Sequence, residues 1–287
     1  MISVLLTKIK TRDGITLDGI YVAPKRKGKT ALIWLHGLTS RFYSGQPLIK
    51  ELSEKCQKNG IGYFKFNTRG HDIVVRGQGK HKLLGTLYEK FEDCIKDIDA
   101  MIHFAKRLGY KNILLAGHST GANKALYYLY KTKNRSVKRL LLASGTSDIS
   151  GEIKRVGKKE FKKIVQLAKT LYRKNPESLF MTHGFLFTAK RYLSLHLPGK
   201  AEDVFPYYNP RARWKELTSV KSPVAVIIGS RDEYLNIPPK KFIEIFRQNC
   251  KNSKSFSGII IKGAGHGFYG KEKELTQNIV KWIEEIK

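Results

Sequence analysis

The residues best suited to chemistry in this chain lie at 117–121 and have the sequence Gly-His-Ser-Thr-Gly, a G-x-S-x-G pattern. The apolar run at 112–116 before it predicts a buried strand, and residues 122–129 after it predict a helix. A tight turn between a strand and a helix strains the backbone of a serine and exposes its hydroxyl as a nucleophile. We therefore predict that Ser119 is a catalytic nucleophile rather than an ordinary loop serine.

Two further polar candidates follow later in the chain, each just after an apolar run. Residues 224–228 precede Asp232, and residues 258–262 precede His266. Open α/β sheets place their chemistry at the carboxyl ends of strands, which is where these side chains would meet Ser119. An unassisted serine is a weak nucleophile at neutral pH, so we predict His266 as its base. Asp232 is predicted to orient the imidazole and to stabilise its charged form.

Two other carboxylates are alternatives to Asp232 as the orienting acid. Glu233 is its neighbour in the chain, and Asp148 follows the preceding apolar run at 139–143. We interpret Asp148 instead as a residue that caps a helix or shapes the pocket. Asp232 remains the predicted acid because it lies just past a predicted strand and before His266.

A strand predicted at 31–35 runs into a His-Gly loop, where an oxyanion hole would lie. His36 and Gly37 are interpreted as structural, and the glycine lets the backbone approach the substrate. The backbone amides of Leu38 and Thr120 are the predicted oxyanion donors. Each backbone donor aimed at the developing charge contributes about 3 kcal/mol.

The remaining polar and aromatic candidates are interpreted mainly as structural. His118 flanks the serine and is predicted to be a packing residue. His71 and Asp72 suggest a metal site, but no further ligands recur at suitable spacing. We therefore predict loop hydrogen bonding there, with no metal and no cofactor required. Four aromatic residues either line the pocket or pack within its cover: Phe185, Phe187, Tyr207 and Tyr208.

The order of the predicted elements indicates an α/β fold. A β-hairpin is predicted over residues 2–9 and 15–23, and strands then alternate with helices as far as a last helix with Ile286 on its apolar face. Such alternation predicts a mainly parallel central sheet flanked by helices. From about 149 to 214 no strand is predicted, although residues 160–172 have the period of a helix.

These motifs resemble the serine esterases of the α/β-hydrolase superfamily over nearly the whole chain. The order serine, acid, histidine carries the resemblance, and so does the Arg-Gly-His loop at 69–71. The Gly-His-Ser-Thr-Gly turn and the Thr-Ser-Asp stretch at 146–148 also resemble a branch that includes fungal siderophore esterases. The resemblance implies an α/β-hydrolase core at 1–148 and 216–287, with a helical cap inserted at 149–215. It also leaves Asp148 as an alternative acid, because some relatives place their acid after the strand predicted here at 139–143.

The predicted reaction is hydrolysis of a carboxylic ester or related acyl bond through an acyl-enzyme, with a small-molecule ester as substrate. A thioesterase, a peptidase or an acyltransferase would use the same residues, so these remain alternatives. A noncatalytic ligand receptor on the same fold is the alternative of another class. The complete set of serine, acid and histidine argues against a receptor, which has no need of the histidine.

The strong positive charge of the chain requires its own interpretation. The sequence has 54 Lys and Arg against 24 Asp and Glu, a formal net charge of +30. Such a charge favours polyanionic partners in general. The basic residues are spread along the whole chain, however, and no nucleic-acid-binding motif is recognised. We therefore predict a solvated basic surface and no specific nucleic-acid partner.

Cysteine usage and hydropathy indicate the compartment. Three scattered cysteines exclude a disulfide framework and suggest a reducing environment. No run approaches the ~18 apolar residues of a membrane span. The first ten residues lack the apolar segment and cleavage site of a signal peptide. The expectation is a cytoplasmic protein, of an oligomeric state that the sequence leaves open.

Overall fold

The computed structural model describes residues 3–79 and 82–285. Ile2 of the predicted hairpin and Ile286 of the predicted last helix lie outside these residues. The strands are β1 (Leu5–Lys10), β2 (Thr16–Val22), β3 (Thr30–Leu35), β4 (Ile61–Phe66), β5 (Val75–Arg76), β6 (Leu83–Leu84), β7 (Asn112–His118), β8 (Val137–Ala143), β9 (Leu179–Thr182), β10 (Phe185–Thr188), β11 (Val224–Gly229) and β12 (Phe256–Ile261). The helices are α1 (Gln46–Lys58), α2 (Cys94–Arg107), α3 (Thr120–Thr132), α4 (Asp148–Val156), α5 (Lys158–Lys174), α6 (Ala189–His196), α7 (Lys215–Thr218), α8 (Pro239–Asn249) and α9 (Glu272–Glu285).

Eight of the strands form one central sheet, in the order β1-β2-β4-β3-β7-β8-β11-β12. The predicted hairpin is present as the antiparallel pair β1 and β2, and β2 is also antiparallel to β4. All other neighbours in this sheet are parallel. The mainly parallel sheet flanked by helices that the sequence predicted is confirmed.

Both faces of the sheet are covered by helices, as a parallel sheet requires. The strands β4 and β11 are buried at every position, and so is β3 after its first residue. Helices α2, α3 and α8 pack on one face, and α1 and α9 pack on the other. The strands therefore form a rigid platform whose carboxyl ends carry the loops described below.

The insertion between β8 and β11 differs in one respect from the prediction. It contains the expected helices, α4 to α7, but also a hairpin formed by β9 and β10, where the sequence predicted no strand. The turn consists of His183 and Gly184, both with positive φ, at 49° and 80°. A two-residue turn of this kind matches the twist of an antiparallel pair. In the sequence, the hairpin corresponds to two apolar runs on either side of His-Gly. Each run is too short for its periodicity to distinguish a strand from a helix.

The insertion has a small apolar core of its own, formed by side chains from α5, α6 and β10. These residues are Ile164, Ala168, Phe187, Tyr192, Leu193 and Leu195. Of the 15 Lys and Arg at 151–215, all but Arg191 are exposed. The segment thus has a compact apolar interior and a basic outer surface.

Buried ion pairs join this insertion to the core. Arg191 on α6 lies 3.3 Å from Glu89, in the loop after β6, and 2.5 Å from Glu202. Glu89 also lies 2.5 Å from the ammonium of Lys124, on α3. None of the four side chains is more than 2% exposed. The charges therefore compensate one another in a region that water does not reach.

Replacing Arg191 with methionine is expected to destabilise the protein by about 3–5 kcal/mol, because it leaves buried carboxylates without their partner. The measurement is the free energy of unfolding in urea. Lys163→Met is the control, since its exposed pair with Glu160 contributes at most about 1 kcal/mol. Equal stability of the two variants would contradict a tightly compensated network.

Among the helices of the described residues, none has the length and apolar character needed to cross a membrane. The three cysteines, Cys56, Cys94 and Cys250, are free thiols. Burial raises the pKa of each thiol, so they are weakly reactive and act as small apolar residues.

Candidate active site

Ser119 is the single residue between the end of β7 and the start of α3. Its backbone has φ 55° and ψ −130°, a sparsely populated conformation that is found where the surrounding structure enforces it. The glycines around it are required by space. A Cβ on Gly117 would lie 2.1 Å from the carbonyl oxygen of Gly121, and one on Gly121 would lie 2.4 Å from that of Leu35. The strand, turn and helix predicted for this motif are thus the local structure observed.

The structure brings together the three side chains predicted from separate parts of the chain. The Ser119 hydroxyl lies 2.9 Å from His266 Nε2. His266 Nδ1 lies 3.1 Å and 3.0 Å from the two carboxylate oxygens of Asp232. Asp232 follows β11 and His266 follows β12, so both arrive at the carboxyl edge of the sheet, as does Ser119 after β7.

The surroundings of Asp232 favour its charged form. Its side chain is fully buried, and one oxygen accepts a hydrogen bond from the Tyr234 amide at 3.0 Å. Burial raises the pKa of Asp232, but the hydrogen bond and charge of His266 outweigh it and hold the pKa below the usual value. The carboxylate therefore accepts the Nδ1 proton of His266, which leaves Nε2 free to accept the proton of Ser119.

The loop after β3 lies directly against the serine. A Cβ on Gly37 would be only 2.9 Å from the Ser119 Cβ, so glycine permits this approach. His36 holds the loop through the Gly37 carbonyl, 2.8 Å from Nδ1, and the Thr68 amide, 3.0 Å from Nε2. Burial and the charge of Lys124 lower the pKa of His36, so this bridge is made by the neutral ring.

The two predicted oxyanion donors are the chain neighbours of Gly37 and of Ser119. Leu38 follows Gly37 in the loop after β3. Thr120 is the first residue of α3, where a backbone amide has no acceptor within its own helix. The positive end of the α3 dipole also lies here and favours negative charge. The role of these two amides as oxyanion donors stays a prediction.

Neither alternative carboxylate is hydrogen-bonded to the imidazole within the part of the chain that the structure describes. Glu233 instead accepts a hydrogen bond from the backbone amide of His266, at 2.8 Å. Asp148 begins α4, where burial and the charge of Glu202 raise its pKa to about 7 although Arg191 opposes them. The helix cap is its neighbour Ser147, whose hydroxyl accepts from an amide of α4.

One contact of the loop that carries His266 was not predicted from the sequence. His118, predicted to be a packing residue, donates from Nε2 to the backbone carbonyl of His266, at 2.8 Å. The two rings also lie 5.1 Å apart, centre to centre. The contact joins residues 148 positions apart, so no local pattern could have revealed it.

The pair His71 and Asp72 is engaged in loop contacts. His71 Nδ1 donates to the Thr68 carbonyl at 2.8 Å, and Asp72 forms an ion pair with Arg41. Within residues 3–79 and 82–285, no cluster of three or more His, Cys, Asp or Glu is placed to hold a metal ion.

The four aromatic candidates of the insertion have different surroundings. Phe187 is buried in the apolar core of the insertion. The Tyr207 hydroxyl accepts from the Ser147 amide, and its ring packs 5.7 Å from that of Phe242 in the main core. Tyr208 donates to a carboxylate at 2.7 Å. Phe185 alone of the four is largely exposed, at 53%.

The insertion touches the candidate site directly. The Leu38 side chain packs against the apolar core of the insertion. The ammonium of Lys154, on α4, donates to the backbone carbonyls of Glu233 and Leu235, at 2.7 Å and 3.0 Å. The insertion therefore contacts both the loop after β3 and the loop that carries Asp232.

Comparison with known proteins identifies the fold. The family model described as "Protein of unknown function (DUF1749)" matches residues 3–286. The AB hydrolase superfamily protein YisY of Bacillus subtilis is 24% identical over an alignment of 265 positions, and the match covers 85% of this chain and 91% of YisY.

Two solved esterase structures are similar in their backbone. The esterase Pf2001 of Pyrococcus furiosus aligns over 99% of this chain and 91% of its own, with a TM-score of 0.64 and 18% identity. Est1E of Butyrivibrio proteoclasticus, solved with ferulic acid bound, aligns over 97% of this chain and 98% of its own, with a TM-score of 0.67 and 19% identity. The chain has the α/β-hydrolase fold.

Proposed function

This chain belongs to the DUF1749 family and has the α/β-hydrolase fold, and from that premise we propose that it is a serine-dependent carboxylic ester hydrolase. The observation that carries the proposal is the unbroken hydrogen-bonded series from Ser119 through His266 to Asp232. A strained serine beside a base that is oriented by a buried carboxylate is the arrangement that activates a hydroxyl. If these three residues served only to pack the core or to shape loops, they would not need all three contacts.

The first half of the reaction forms an acyl-enzyme. The Ser119 oxygen attacks the carbonyl carbon of a bound ester while His266 Nε2 takes the hydroxyl proton. The negative oxygen of the tetrahedral intermediate accepts hydrogen bonds from the amides of Leu38 and Thr120. The intermediate then collapses, the alcohol leaves with the proton held by His266, and the acyl group stays on Ser119.

The second half restores the enzyme. Water gives a proton to His266 as its oxygen attacks the acyl carbon, and a second tetrahedral intermediate forms in the same oxyanion site. Its collapse returns the proton to Ser119 and releases the carboxylic acid. Asp232 stays ionised throughout and stabilises the imidazolium of each step. The cycle uses no redox step, and we propose no metal or cofactor for it.

We assign to residues 149–215 the role of a cap over this site. Leu38 and Lys154 support the assignment, because both connect the insertion to loops beside Ser119. The proposed substrate is a small-molecule ester that enters between insertion and core. The cytoplasmic location stays a prediction.

A fluorophosphonate probe tests the proposal, because it bonds to an activated serine with loss of fluoride. Labelling of the wild-type protein is expected at Ser119, detected as an adduct on the peptide that contains it. The Ser119→Ala variant serves as the control.

A wild-type protein that stays unlabelled and cleaves no ester would favour the receptor alternative. Faster turnover of matched thioesters or amides would favour a thioesterase or peptidase, and acyl transfer to an added alcohol in preference to water would favour an acyltransferase.

The charge of the insertion leads to a prediction about substrate choice. Residues 151–215 hold 15 Lys and Arg against 5 Asp and Glu. We expect a higher kcat/KM for a carboxylate-bearing ester than for a neutral ester of equal size. The preference should weaken with added salt, because exposed charges are screened over about 8 Å at physiological ionic strength. The measurement is kcat/KM for the matched pair at low and high salt, and equal values at low salt would assign substrate choice to pocket shape alone.

A further inference from the structure

The loop that carries His266 is anchored on either side of the histidine by Ala264 and Phe268, which are buried in the core. Glycine occupies positions 263, 265 and 267, and Gly263 has φ 74°. Glycine has access to far more backbone conformations than other residues. Between these anchors, the glycines on both sides of His266 leave the backbone of the histidine itself free to move unless contacts from outside the loop restrain it.

The first such contact comes from the residue after Asp232. One carboxylate oxygen of Glu233 accepts a hydrogen bond from the His266 amide, at 2.8 Å. Charge-assisted hydrogen bonds of this kind are about twice as strong as neutral ones. Glu233 is an exposed residue, so the bond is not a by-product of core packing.

The second contact comes from the residue before Ser119. His118 donates its Nε2 proton to the His266 carbonyl, at 2.8 Å. Burial and the charge of His266 lower the pKa of His118 to about 4. The ring is therefore neutral near pH 7, with its one proton on Nε2, and places no second positive charge beside the base.

We propose that Glu233 and His118 are positioning residues that hold the backbone of His266 from both sides, so that its imidazole bridges Asp232 and Ser119. Each is the chain neighbour of one of the residues that the imidazole must reach. The two bonds thereby tie the histidine loop to the loop after β11 and to the serine turn. The proposal rests on the function proposed above and adds to it two residues outside the predicted site.

Loss of either bond is expected to act on chemistry more than on binding. A displacement of the base of about 1 Å costs on the order of 100-fold in rate. Neither residue is assigned a contact with substrate, so KM should change little. A split between kcat and KM therefore separates a positioning role from a binding role.

The experiment uses two matched pairs of variants in the full chain. Glu233→Met removes the acceptor at similar length, and Glu233→Gln keeps an acceptor oxygen. His118→Met removes the donor, and His118→Gln keeps an N–H near the Nε2 position. We expect the methionine variants to lose on the order of 10- to 100-fold in kcat with KM within about twofold, and the glutamine variants to stay within about threefold of wild type. Thermal unfolding checks that each variant is folded.

A spectroscopic readout makes the test independent of substrate. The Nδ1 proton of His266, held by Asp232, is expected to give a downfield proton resonance in the free protein. It should persist in the glutamine variants and broaden or vanish in folded methionine variants, because the loop then samples several positions. Wild-type kcat and an unchanged resonance in the methionine variants would overturn the proposal. Should His118→Met not fold, the exposed Glu233 pair decides the outcome.

The failure of this inference is distinguishable from failure of the proposed function. An inactive and unlabelled wild-type protein would reject the hydrolase, whatever the variants do. The resonance of His266 would still decide whether Glu233 and His118 hold the loop. A labelled, active wild-type protein whose Glu233→Met variant is fully active would reject the positioning role alone.

Discussion

Replacing Ser119 with alanine is expected to lower kcat for a short-chain p-nitrophenyl ester by about 10⁶-fold, without changing the fold. The serine oxygen forms the covalent bond to the acyl group, and the variant has no other hydroxyl at that position. Its removal also leaves His266 Nε2 without the proton donor that lies 2.9 Å away. The measurement is steady-state hydrolysis, with unfolding in urea to confirm that stability is preserved.

The matched control for this variant is Ser136→Ala, since Ser136 lies just before β8, at the opposite end of that strand from the site. It should hydrolyse the ester at the wild-type rate. Retention of more than about a tenth of wild-type activity by Ser119→Ala would reject the serine mechanism, because known nucleophile deletions remove far more.

Asp232→Asn is expected to reduce kcat by about 10⁴-fold, the loss typical of a triad acid replaced by its amide. The amide has almost the same shape as the carboxylate, but its N–H₂ group favours a ring with the proton on Nε2. That tautomer of His266 has no lone pair for the Ser119 proton. The measurement is kcat for the same ester, together with the rate of fluorophosphonate labelling, which depends on the same base.

The comparison that makes this prediction decisive is Asp148→Asn. Asp148 has no hydrogen bond to the imidazole in the described structure, so its change should cost far less than that of Asp232. A larger loss in the Asp148 variant would place the orienting acid after β8. The mechanism would then have to be redrawn around that residue.

Much of the fold was predictable because its signals are local. The apolar runs of β3, β7 and β11 are short, continuous and bounded by turn residues, as buried parallel strands are. The hairpin of β9 and β10 was missed for a related reason. Its strands have four residues each, and apolar runs of that length lack a decisive period.

The candidate site residues were predictable because each follows a strand. A residue just past the carboxyl end of a parallel strand arrives at one edge of the sheet, whatever the rest of the fold does. Ser119, Asp232 and His266 all meet this condition, after β7, β11 and β12. The G-x-S-x-G spacing reflects a steric requirement that is visible in the sequence, because Gly117 and Gly121 have no room for a side chain.

Only the tertiary structure decided the roles of residues that meet across the sheet edge. The sequence left Glu233 as a rival acid and His118 as a packing residue, and the structure places both on the backbone of His266. Likewise, nothing local indicates that Arg191 pairs with Glu89, which lies 102 positions away. Chain-local patterns determine which elements form and where the sheet presents its loops. The directions of individual polar side chains depend on partners brought close only by packing, because a hydrogen bond acts over about 3 Å and carries no signature in sequence spacing.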